Sequence, residues 1–215
     1  MDKLLLDFKN SIFDGNLEII GEYAEVGIDS FIEDGILKEI PIVNTIVSGL
    51  KVAKNIFDIN LLKQTIAFLN EFNNGKIDNT KLENYKKNIN RNKKKLNNEL
   101  SRIIIILNSN IDKEKSIILA KLYVARINEI ITWEEFVEFT EITNRLFLAD
   151  LKLLKVMWKR KYRSYIENLD DRFRVERIYS LGIVGNIFPS SSEMHHLYGK
   201  ILNELGKKYC KIIFE

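Results

Sequence analysis

Apolar positions recur every three to four residues along most of this chain, which is the period of an amphipathic helix. From about Asn16 past Phe31, the residues Ile20, Tyr23, Ala24, Gly27, Ile28 and Phe31 share one helical face. Glu18, Glu22, Glu25, Asp29 and Glu33, spaced 4, 3, 4 and 4, line the opposite face, and Gly35 marks the end. An apolar stretch over 40–57 follows, with Pro41 where a first-turn proline sits. The pattern then predicts a helix over 61–72 and a loop at 73–76. Thr80 with Glu83, and Thr132 with Glu135, have the spacing of capping boxes. The first should open a long helix reaching the apolar run 103–107, and the second a helix continuing to about 165. Between them Asp112 can cap a helix over 113–130.

The last forty residues change character. RVERIYSLGIV reads as a helix stopping at Gly182, IFPSSSEMHH as a turn-rich link, and YGKILNELGKKYCKIIF as a short strand followed by a helix. The expected fold class is all-α, mainly a helical bundle, with a small wing-like β-hairpin near the C-terminus and a possible membrane-inserting helix. Three segments are expected: an acidic leader with that helix over 1–58, a helical bundle over 59–168, and a wing-like subdomain over 169–215. The closing helix, strand, loop, strand, helix order is similar to the end of winged-helix domains, with Leu181-Gly182 and Leu205-Gly206 carrying the likeness. No helix-turn-helix precedes it in the sequence pattern.

Composition narrows the class. A chain of 215 residues with 46% hydrophobic and 29% charged residues can bury a core and is not wholesale disordered. Two prolines and ten glycines are too few for a turn-dense β architecture. The single cysteine, Cys210, excludes an intramolecular disulfide and a cysteine-based zinc site. MDKLLLDFKN carries acids where a secretory signal needs a basic stretch, so the protein is expected to stay inside the cell. The net charge of +3 conceals an asymmetry, because residues 1–39 hold ten acids against three lysines, which leaves +10 on the remainder. Such a basic body suits an anionic partner or pairs with its own leader.

Catalytic signatures are missing. There is no phosphate-binding glycine loop of the Walker type and no GxGxxG after a strand. Gly182 and Gly185 have GxxG spacing, but Ile183 and Val184 between them suit no backbone clamp. His195 and His196 are the only histidines, and Glu193 with His196 makes a single ExxH where a di-iron bundle needs two. Cys210 reads as a buried, inert thiol. No enzyme, no metal and no cofactor is expected.

Two stretches offer function. Residues 40–50 contain no charge, and eighteen helical residues over 40–57 would measure about 27 Å, close to the roughly 30 Å of bilayer hydrocarbon. Asn44, Ser48, Lys51 and Asn55 form one polar stripe on that helix. It could cross a membrane in an oligomer whose stripes face one another, or serve as the central helix of a soluble bundle. In such an oligomer Glu18, Glu22, Glu25 and Asp29 would form cation-favouring rings, with Asn44, Ser48 and Lys51 lining the path; otherwise the acids are a solvated face. In LKLLKVMWKRKYRSY, Lys152, Lys155, Lys159 and Arg163 are spaced 3, 4 and 4, beside Arg160, Lys161, Trp158, Tyr162 and Tyr165. Cations interleaved with aromatics suit a single-stranded oligonucleotide or a nucleotide, since phosphates pair with the cations and bases stack on the rings. The expected ligand-binding residues are therefore Lys152, Lys155, Trp158, Lys159, Arg160, Tyr162 and Arg163. Trp158 and Tyr165 read equally well as core, and the basic run KKNINRNKKK at 86–95 as a solvated face.

The layout of acidic leader, IPIVNTIVSGLKVAKNIF segment, basic-striped helical body and wing-like end resembles small bacterial antiphage membrane effectors, the Hailong defence effectors among them. The resemblance implies a homo-oligomeric ion channel in the bacterial inner membrane, most of the chain being cytoplasmic. It further implies restraint by an oligodeoxyadenylate from a partner nucleotidyltransferase. The competing expectation is a soluble, cytoplasmic helical interaction or regulatory module.

Overall fold

The computed structural model describes residues 3–14, 40–52, 56–160, 163–165, 169–186 and 199–215, with backbone alone at 50–52, 163–165, 169–170 and 199. Their contacts divide the chain into two units, Met1–Phe136 and Val137–Glu215.

Among the described residues every regular element of the first unit is a helix: α1 (Lys3–Phe13), α2 (Pro41–Val52), α3 (Ile56–Asn74), α4 (Asn79–Arg91), α5 (Lys93–Ser109) and α6 (Lys113–Ile127). The helix α7 (Trp133–Arg145) contains the boundary. Packing centres on α3, which lies against α6, α2 and α5. Its face of Leu62, Phe68 and Leu69 is fully buried, and Phe68 gathers the rings of Phe8, Phe72 and Tyr123 at centroid distances of 5.8–6.3 Å. One buried polar chain crosses this apolar interior. Ser116 Oγ donates to Gln64 Oε1 at 2.7 Å, Asn110 Nδ2 to Ser116 Oγ at 3.0 Å, and Gln64 Nε2 to the Ile111 carbonyl at 2.8 Å. Each group offsets its desolvation, so the chain fixes how the α5–α6 turn sits on α3.

The helix α2 begins at Pro41, as expected, and is fastened to α1. Ser11 Oγ accepts the Ile42 N–H at 3.0 Å, a first-turn donor with no partner inside its helix, and Thr45 Oγ1 donates to Asp7 Oδ2 at 2.5 Å. Ile42, Val43, Ile46 and Val47 are buried, whereas Asn44 and Ser48 are exposed. Twelve residues make about 18 Å of helix, well short of a bilayer. No helix among the described residues is long and apolar enough to cross a membrane.

Three other boundaries depart from the sequence pattern. The cap of α4 is Asp78, whose carboxylate accepts the Lys81 N–H at 2.9 Å, and not Thr80. The helix expected to run unbroken to 107 stops at Asn92, whose side chain accepts the Lys95 N–H at 3.0 Å and starts α5. The helix expected over 132–165 is three elements. Thr132 and Glu135 form their capping box, with reciprocal bonds of 3.2 and 2.9 Å, but α7 ends at Arg145. A new helix, α8 (Leu148–Lys159), then starts because Asp150 reaches back to the Phe147 N–H at 3.0 Å, and a strand, β1 (Arg163–Tyr165), follows.

The second unit continues with α9 (Leu169–Ser180), β2 (Val184–Asn186), β3 (Gly199–Leu202) and α10 (Glu204–Phe214). The expected hairpin of β2 and β3 is present, and β1 joins it to make an antiparallel sheet of order β1-β3-β2. Ile201 of β3 faces Arg163 on one side and Gly185 on the other. α9 closes where foreseen, with Gly182 at φ 74°, a conformation glycine adopts without strain. Asn203 caps α10, accepting the Gly206 N–H at 2.8 Å while donating to the Gly182 carbonyl at 2.7 Å. Phe139, Leu154, Met157, Ile178, Tyr209 and Cys210 fill the interior.

Candidate functional site

The helix α8 separates its faces cleanly. Leu151, Leu154 and Met157 are buried, while Lys152, Lys155, Lys159 and Arg160 are exposed along about 12 Å of helix. At 100° per residue the four cations fall within one arc, and none of them joins an ion pair with an acid among the described residues. The root of this helix is rigid. The Asp150 carboxylate, 1% exposed, accepts the Phe147 N–H and two donors of Arg177 from α9, Nη2 at 2.6 Å and Nε at 3.3 Å. Trp158 is half-buried, so part of its ring belongs to the packing.

The remaining expected positions are distributed differently. Arg163 lies in β1 with its backbone opposite Ile201, so it does not extend the α8 stripe as a continuous helix would have made it do. Tyr162 and the side chain of Arg163 lie outside the described residues. Of the proposed channel-lining set, Glu18, Glu22, Glu25 and Asp29 also lie outside them, as do the histidines and the side chain of Lys51. Asn44 and Ser48 point outward from α2 and bond each other at 3.4 Å, forming the polar stripe foreseen for the first half of the segment. Burial pushes the Cys210 thiol up to about 12, which leaves it protonated and unreactive at neutral pH. Among the described residues no group of histidine, cysteine and acidic side chains could hold a metal ion.

A second feature escaped the sequence. Tyr85 of α4 donates its hydroxyl proton to Glu99 Oε2 of α5, and its oxygen lies 3.1 Å from the Tyr123 hydroxyl of α6. Burial first, then Tyr123 and the Glu99 carboxylate, holds the Tyr85 phenol protonated far above its ordinary value. Tyr85 and Glu99 line a cavity of about 70 Å³ together with Lys81, Lys95, Arg126 and Glu129. The Arg126 guanidinium sits 5.7 Å from the Tyr85 ring centroid. The three residues that meet here come from three helices, and the sequence sign was limited to Leu82, Tyr85 and Ile89, spaced 3 and 4 in an otherwise polar helix.

The basic face of α8 can attract and align phosphates, and the cavity can hold a small polar group. Comparison with protein-family models, with curated proteins and with solved structures finds no match to this chain.

Proposed function

We propose that the chain is a non-enzymatic effector controlled by an anionic ligand, a short single-stranded oligonucleotide or a nucleotide, docking on the exposed face of α8. The observation that carries this reading is the set of Lys152, Lys155, Lys159 and Arg160, four cations on one face of a helix anchored by Asp150 and Arg177. A merely solvated face would mix both signs. The output assigned to it is a homo-oligomeric ion channel at a bacterial inner membrane, as in the antiphage effectors whose layout it resembles, with a nucleotidyltransferase as the source of the ligand. In support stand the charge-free run over 40–50 and the outward polar stripe of Asn44 and Ser48. Lipid is about as apolar as a protein interior, so moving α2 from core to bilayer leaves its apolar burial nearly unchanged. What such a move costs is the Ser11 and Thr45 bonds and the packing on α1 and α3.

The same α2 favours a second reading. Its four buried apolar residues contribute about 6–12 kcal/mol where they are, as in any bundle helix, and a soluble regulatory module would need nothing more of them. Fractionation of expressed protein with and without detergent, followed by ion flux from loaded vesicles, separates the two. Membrane-bound oligomer with flux supports the channel; monomer in the soluble fraction without flux supports the module and ends the membrane reading.

A further inference from the structure

Two residues that line the cavity of α4, α5 and α6 each keep a buried, unmatched hydrogen-bonding atom, and the two are of opposite kind. Glu99 is 1% exposed, and its Oε1 accepts no hydrogen bond although Oε2 is taken by Tyr85. The nearest cation to Oε1, Lys95 Nζ, is 3.9 Å away, beyond hydrogen-bond reach. Arg126 Nε is likewise buried and donates to nothing. Leaving a buried charged group short of a partner is costly, and native interiors seldom do so without reason. The chamber is wide enough for a partner, since about 70 Å³ admits roughly five water-sized groups at 10–15 Å³ each.

The chemistry of the walls specifies that partner. Glu99 needs a donor, best a positively charged one. Arg126 and Lys95 can take an anionic acceptor, whereas Lys81 already donates to the Asn128 carbonyl at 2.6 Å and pairs with Glu129 at 3.8 Å. With Lys81 and Glu129 paired, the lining leaves an unmatched acceptor on Glu99 and an unmatched donor on Arg126, so a guest carrying both a cation and an anion matches it better than a bare ion of either sign. We propose that this cavity binds a small α-amino acid, its ammonium on Glu99 Oε1 and its carboxylate on Arg126 and Lys95. The size admits glycine or alanine. This site lies in the first unit and does not depend on the α8 reading.

Calorimetric titration of the full chain with glycine tests it, with acetate and methylammonium as the two half-ligands. Glycine should bind saturably and each half-ligand at least about tenfold more weakly, since each forfeits one charged contact. Glu99→Gln should abolish glycine binding and leave the response to acetate unchanged, and Arg126→Lys should weaken both. Lys95→Ala, on a side chain 52% exposed, should keep the fold and still weaken glycine binding severalfold. No saturable glycine signal would mean that the chamber holds water alone and overturn the proposal. Acetate binding as tightly as glycine, or glycine binding surviving Glu99→Gln in a variant with unaltered circular dichroism, would make it a plain anion site and overturn it equally.

Discussion

Among the described residues each unit buries one carboxylate almost completely, and the two are treated in opposite ways. Asp150 is saturated: a backbone N–H and two guanidinium donors occupy both of its oxygens. Glu99 is left half-satisfied, one oxygen on Tyr85 and the other without a hydrogen bond, in a residue that lines a cavity. The first arrangement holds α8 to α9 and offers nothing to a ligand. The second leaves interaction energy unspent inside the fold, which is what a binding site requires. Burial alone therefore does not distinguish a structural acid from a functional one; the unfilled hydrogen-bonding capacity does.

The two tryptophans allow each half of the comparison to be followed separately. Trp133, stacked on Phe136 at 5.0 Å, belongs to the first unit, and Trp158 on α8 to the second. Variants retaining one or the other report unfolding unit by unit. The largest effect should come from Gly206→Ala, whose Cβ would lie 2.0 Å from the Ile183 carbonyl oxygen. Backbone must move to relieve it, so the Trp158 transition should lose about 4 kcal/mol or more in urea while the Trp133 transition keeps its midpoint.

Arg177→Ala comes next. It strips Asp150 of its cation and should cost about 3 kcal/mol on the Trp158 transition, the low end for such pairs because the guanidinium is 45% exposed. The two units should also part at alkaline pH. Cys210 ionises in the unfolded chain near its ordinary 9.0 but in the fold only near 12, so the native state holds its proton longer. Stability is then fully present below pH 9 and falls as pH rises towards 12, by about 1–2 kcal/mol at pH 10. The Trp158 unit should weaken first. The first unit should follow from about pH 10, the ordinary tyrosine value, through Tyr85 and Tyr123. Denaturant midpoints from pH 8 to 11 check the order.

How much of this was open to reading in the sequence follows the range of the interactions. Pro41 opening α2, the Thr132 and Glu135 box and the Gly182 stop are local signals, and each holds in the structure. The break at Asn92 was also local, an asparagine cap hidden inside a polar run. The break before α8 was not, because it needs Asp150 buried under Arg177, twenty-seven residues on. The strand β1 is three residues that become a strand only through pairing with β3, and that pairing removes Arg163 from the helical stripe. The basic face of α8 needed only helical spacing and was legible. The Tyr85, Glu99 and Tyr123 cluster was not, since no periodicity links residues brought together from three helices.

Smaller effects sharpen the contrast from the other side. Glu99→Gln removes a charge already short of partners and leaves an oxygen for Tyr85, so the Trp133 transition should move by no more than about 1 kcal/mol in either direction. A loss as large as that of Arg177→Ala would make Glu99 a second Asp150. The double reversal Lys155→Glu and Lys159→Glu touches exposed side chains alone and should shift the Trp158 transition by less than about 0.5 kcal/mol each.

That double variant, folded and stable, then tests the central claim, that the α8 face binds a phosphate-bearing regulator. Fluorescence anisotropy with a labelled single-stranded oligoadenylate, at several salt concentrations, reads both affinity and the number of phosphate contacts. Wild-type protein should bind with a log–log salt slope of about −0.7 per phosphate engaged. Lys155→Glu with Lys159→Glu should weaken binding at low salt by about a hundredfold and flatten the slope by about two contacts. Wild-type protein that fails to bind, or a double variant that binds with undiminished affinity and slope, would contradict the account.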